Sequence, residues 1–179
     1  MSLKPYSTVT DFITGREVPN VGAEENRQVV ERYLVEEKGY AREDIAVDAE
    51  IILDIKGDIY RSQIDLVVSA DSGRHPAMVI KCCAGSPASR EREILSAARL
   101  LRDYQIPFAV VSDAKTAIVL DTISGEKFGS GMTAVPSKSL LRERMTSIPP
   151  EPLSTQRREK EKLIFRTYDS DNVNVSRNL

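Results

Sequence analysis

The sequence predicts an α/β protein, a mixed sheet of about five strands flanked by helices in the order α-β-β-β-α-β-β. Three observations carry that prediction. An amphipathic helical stripe near the start is followed by two alternating extended runs, and then by a near-continuous apolar strand that leads into a second helical stripe and two more strands.

Residues 1–22 hold Pro5, Gly15, Pro19 and Gly22 around a polar stretch and read as an irregular lead-in. From Ala23 to Lys38 the apolar residues Val29, Val30, Tyr33 and Leu34 fall at helical spacing, Glu24 and Glu25 suit the helix N-terminus, and Gly39 stops the helix. Val47, Ala49, Ile51, Leu53 and Ile55 alternate as one side of a strand. The Lys56-Gly57-Asp58 turn joins it to a second strand through Ile64, Leu66 and Val68, as a hairpin.

Asp71 to Pro76 is a turn by composition, with His75 as a solvated loop residue, and Ala77 to Ala84 is a strand buried on both faces and therefore central. Gly85-Ser86-Pro87 reads as a loop with Ser86 as N-cap and Pro87 at the first helical position. Ile94, Ala97, Ala98, Leu101 and Tyr104 continue that helix to about Tyr104. Pro107 ends it, and PFAVVSD and TAIVLDT supply two further strands that close the sheet. A short helix spans Ser137 to Met145, and TQRREKEKLIFRTYD is a charged helix-like run, either packed on the core or reaching a partner. The expected organisation is a lead-in over 1–21, a core over 22–131 and a C-terminal extension over 132–179.

A chain of 179 residues with 41% hydrophobic and 29% charged content fits one globular domain. No apolar run approaches a membrane span and the first residues lack a signal-peptide layout, so the expected location is cytoplasmic. A net charge of −2 excludes global attraction to nucleic acid and leaves only a local contact. Cys82 and Cys83 are neighbours in a strand, point to opposite faces and read as reduced thiols; with one His they are too few for a tetrahedral zinc site.

The segment IDLVVSADSGRHPAMVIKCC places Asp65 and Lys81 in an otherwise apolar strand pair, where a buried Lys demands a partner and Asp65 is the nearest candidate. Together with VGAEENRQVVERYLVEEKGY, YRSQIDLVV, AMVIKCCAG and QIPFAVVSDAKTAIVLD, this ordered set resembles the N-terminal nuclease domain of type I restriction enzyme R subunits, within the PD-(D/E)XK superfamily, over roughly 11–128. The resemblance implies a restriction-endonuclease-like three-layer core and a site in which Mg2+ is held by an Asp and a Glu on adjacent strands, with a Lys two residues after the Glu. Asp65 matches the Asp, and Glu25, or else Glu24, matches an acid that many members supply from the first helix.

The third strand departs from this pattern. Laid over the family's I-E-C-K-A, Ile80-Lys81-Cys82-Cys83-Ala84 puts Lys81 at the Glu position and Cys83 at the Lys position. If Lys81 is instead the catalytic Lys, the Glu position falls on Val79; either register loses a carboxylate. The implied candidate residues are thus Asp65, Lys81, Glu25 and Cys83, with Asp65 and Glu25 as ligands for Mg2+ if the site is active. Three functions are open: a nuclease-fold module that has lost or weakened cleavage and binds DNA or a partner; a divergent Mg2+-dependent DNA endonuclease using Asp65, Glu25 and Lys81; and a regulatory or assembly protein with a vestigial cleft. A partner or a second copy would engage the C-terminal extension. No G-x-x-x-x-G-K-[ST] motif is present, so the chain is not expected to be a full R subunit.

Overall fold

The computed structural model describes residues 6–170. A two-stranded hairpin, β1 (Thr8–Thr10) and β2 (Glu17–Pro19), precedes helix α1 (Glu24–Glu36). The lead-in read as irregular is therefore ordered, because the Asp11 carboxylate accepts the N–H groups of Ile13 and Thr14 and closes the turn. Strands β3 (Ile45–Ile55), β4 (Asp58–Ser69) and β5 (Pro76–Cys82) follow. Helix α2 (Glu91–Leu100) leads to β6 (Phe108–Ser112), β7 (Ala117–Asp121) and β8 (Lys127–Ser130), and α3 (Lys138–Ser147) and α4 (Thr155–Ser170) complete the described chain.

The main sheet has six strands in the order β3-β4-β5-β6-β7-β8, mixed in direction because only the β5–β6 pair is parallel. The α2 crossover makes that parallel pair possible. The sixth strand, β8, is short, polar and contains Gly129, and this composition gives no alternation from which to read a strand. Ser86 starts a short 3-10 turn over Pro87–Arg90, but its side chain makes no capping hydrogen bond; Pro87 fixes the entry instead.

Two apolar layers sandwich the sheet. Val30 and Leu34 of α1 and Leu141 of α3 pack on Leu66, Val68, Met78, Ile80, Phe108 and Val110. On the opposite face, Ile94, Ala97 and Ala98 of α2 and Phe165 of α4 cover Val67, Val79, Ala109 and Val111. Cys82 and Cys83 are free and fall in opposite layers, as strand alternation requires.

The β3–β4 hairpin does not keep one face throughout. Val47 joins the α1 layer while Ala49, Ile51, Leu53 and Ile55 join the α2 layer, and likewise Leu66 and Val68 join the first while Ile64 joins the second. This corrects the expectation that all of Val47 to Ile55 share a side. The phase changes on one rung: Val47↔Leu66 and Ala49↔Ile64 flank it, so Asp48 lies opposite Asp65, and Asp48 has φ +52°. A left-handed residue inside a strand re-aims the chain, and only the structure reveals it.

Helix α4 is packed on the core, not extended as an arm. Glu161, buried within it, accepts hydrogen bonds from Arg99 (2.7 Å) and Ser96 (2.6 Å) of α2. Arg158 donates to the carbonyls of Leu100 (2.8 Å) and Arg102 (3.1 Å), satisfying the exposed acceptors at the C-terminal end of α2. On the other layer, Lys138 of α3 reaches the buried Asp44 carboxylate at 2.6 Å. Among the described residues, no helix is long and apolar enough to cross a membrane.

Candidate functional site

Asp65 sits on β4 where the strand changes phase, and it is buried. The β4–β5 ladder is recorded from Leu66↔Ile80 onward, and beyond that rung the Asp65 carboxylate itself accepts the Cys82 N–H at 2.7 Å. A side chain thus replaces the backbone acceptor where the two strands part.

Lys81 follows on β5, on the face shared with Val79 and Cys83 and covered by α2. Its ammonium lies 3.3 Å from the carboxylate of Glu93, in the first turn of α2. Burial alone would lower the Lys81 pKa, but the charges of Asp65 and Glu93 outweigh it and the pKa is raised. The ion pair seen for Lys81 is with Glu93, where the sequence pointed to Asp65, whose charge also acts on it. Arg90 reaches the other Glu93 oxygen at 3.7 Å.

Glu93 was not singled out in the sequence. Its signal was its spacing: four residues before Ala97 and seven before Leu100, it falls on the buried stripe of α2, where an acid needs a partner. Asp169, in the last turn of α4, is the second missed residue. It accepts hydrogen bonds from the Tyr60 hydroxyl at 2.5 Å and the Ser62 hydroxyl at 3.0 Å, and its charge also acts on Lys81.

The remaining candidates make other contacts, although Asn26, next to Glu25, donates to the Cys83 carbonyl at 2.8 Å and brings the start of α1 to the end of β5. Glu25 is exposed at the start of α1, and its carboxylate accepts the Asn20 amide at 2.9 Å. Glu24 is buried and bound to Arg27 at 2.7 Å, the centre of a polar cluster that also holds Asp11, Glu31 and Asp48. In that cluster burial and the charge of Asp11 push Glu31 up to about 8. Cys83 is buried with its thiol 3.3 Å from the Gly85 carbonyl, and burial raises its pKa, so it is a neutral thiol at the position where the resemblance calls for a Lys.

The chemistry available at Lys81 follows from this donor set. Mg2+ takes hard oxygen ligands in near-octahedral array. Of the four carboxylate oxygens of Asp65 and Glu93, one accepts the Cys82 N–H, one meets the Lys81 ammonium and one faces Arg90, and among the described residues no group of three His, Cys, Asp or Glu side chains that could hold a metal converges. As arranged, these residues do not fit Mg2+. They do hold a compact positive charge at Lys81, with the partly exposed Arg90 on the same Glu93 carboxylate.

A mixed sheet between helical layers, with an acid and a lysine on adjacent strands, is consistent with a restriction-endonuclease-like layered core. The family model described as type I restriction enzyme R protein N terminus matches residues 22–136, more than half of the chain, and the chain belongs to that family. No curated protein and no solved structure matches it.

Proposed function

We propose that this R-protein N-terminal-type domain is a PD-(D/E)XK fold whose metal position has been taken over by Lys81, and that it binds nucleic acid locally without ordinary metal-dependent cleavage. The observation that carries this reading is the Lys81 ammonium, 3.3 Å from Glu93 and within the field of Asp65. A lysine can stabilise a phosphate as a point charge, but it cannot lower the pKa of water as a metal does. The partly exposed Arg90, beside Glu93, supports a local contact despite the net charge of −2. Burial of Phe165 and Glu161 against α2 uses the inner face of α4 within the chain, which weighs against an assembly role for that face.

Plasmid incubated with Mg2+ or Mn2+ tests the cleavage half, beside an Asp65→Ala control. The expected result is intact plasmid with both proteins; nicking that disappears in the control overturns the reading. Duplex and single-stranded oligonucleotides test the binding half, with affinity falling as salt rises. Absence of binding at low salt refutes it.

A further inference from the structure

We propose that the hydroxyls of Tyr60 and Ser62 form a subsite for a nucleic-acid backbone phosphate, and that Asp169 occupies it from within as a strap formed by the last turn of α4. This inference rests on the nucleic-acid reading given above. The two Asp169 oxygens take one hydroxyl each, from Tyr60 at 2.5 Å and Ser62 at 3.0 Å. A phosphoryl group presents the same features, adjacent anionic oxygens that accept from hydroxyls, and Ser and Tyr side chains are common phosphate contacts. Tyr60 remains a proton donor here, because burial and the Asp169 carboxylate hold its pKa above the usual tyrosine range.

The strap is distinct from the anchor. Phe165 is buried and stacks edge-on against Tyr60 with ring centroids 6.3 Å apart, and Glu161 holds Arg99, so the body of α4 is fixed. Beyond Phe165 the helix emerges: Arg166, Thr167, Tyr168 and Ser170 are exposed, and Asp169 is the half-buried exception. That turn also lies outside the residues matched to the family, 22–136. Opening it breaks the two hydrogen bonds to the carboxylate, the backbone hydrogen bonds of that helical turn and the contact of Arg166 with the Tyr60 ring at 5.7 Å, and leaves the Phe165 contact in place.

The experiment measures two ligands on three proteins. Wild type, Asp169→Ala and Asp169→Asn are titrated with a labelled oligonucleotide by fluorescence anisotropy, and with inorganic phosphate by thermal shift, at low ionic strength. Both variants should bind the oligonucleotide about tenfold tighter than wild type, the size of one charge-assisted hydrogen bond recovered. Both should also gain a stabilisation by phosphate that wild type lacks, and adding Tyr60→Phe with Ser62→Ala should abolish each gain. Gain of phosphate binding with no oligonucleotide binding in any protein keeps the subsite and strap but refutes the nucleic-acid reading. Unchanged or weaker binding of both ligands in folded Asp169→Asn overturns the strap.

Discussion

The Lys81 ammonium lies 3.3 Å from the Glu93 carboxylate, joining the central strand β5 to the first turn of α2. The pair couples two layers of the fold at the point where the strands beside Asp65 part. It also assigns Lys81 the role of a counter-ion, which limits what the site can catalyse.

Replacing Glu93 by Gln should therefore cost stability without abolishing the fold, because Lys81 keeps the Asp65 charge nearby. A loss of about 1–3 kcal/mol is expected in urea unfolding, within the range for weakening a partly buried charge pair. Asp65→Asn combined with Glu93→Gln should lose more than the sum of the single variants, since both carboxylates hold one ammonium. Strict additivity would sink the shared-counter-ion argument.

The double variant Lys81→Glu with Cys83→Lys installs the I-E-C-K-A spacing that the proposed reading calls for at the end of β5. It places a new acid beside Asp65 and Glu93, so like-charge repulsion should destabilise the protein in the absence of metal. Added Mg2+ or Mn2+ should then raise the melting temperature of the variant and leave wild type unchanged, with plasmid nicking as the second readout. Equal melting with and without metal in the variant would show that residues other than these two are missing.

Glu31 has a folded pKa raised from 4.5 to about 8, by burial and the charge of Asp11. Between those values the folded protein holds a proton that the unfolded chain has lost, so stability should fall as pH rises from about 5 to 8. Glu31→Gln keeps the shape and removes the titration, and should flatten that slope. The depressed Asp44 acts with the opposite sign: burial would raise its pKa, but Lys138 and the Ala41 and Ser72 amides outweigh it, and its contribution is lost as acid titrates it. Chemical denaturation across pH separates the two limbs.

Glu161 fastens α4 through Arg99 and Ser96, and Arg99 is itself buried. Glu161→Ala should cost about 3–5 kcal/mol, because it strands the guanidinium without its carboxylate. Hydrogen exchange should then rise in α4 and at the end of α2 before it rises in β5 and β6. Uniform loss of protection across the whole sheet would contradict this division.

The helices and strands were legible wherever one period ran unbroken. Val30 with Leu34 marked α1, and the near-continuous apolar run from Ala77 marked β5 as central. Reading failed where the signal was brief or interrupted: β8 lacks an apolar pattern, the β1–β2 hairpin is closed by side-chain hydrogen bonds of Asp11, and the phase change at Asp48 and Asp65 breaks the alternation that periodicity relies on. For the site, Asp65 and Lys81 were visible as charges inside apolar strands. Glu93 and Asp169 were not, since each becomes a neighbour only after α2 and α4 fold back over the sheet.

The sequence by itself thus determined the layered α/β order, the central place of β5 and the family, because local periodicity and short-range motifs are properties of contiguous residues. The tertiary structure alone decided which carboxylate meets Lys81, where Glu25 goes, and that Asp169 lies on Tyr60 and Ser62. Those relationships join residues far apart in the chain, through the strand phase change and the packing of helices on the sheet, and neither is encoded at any single position.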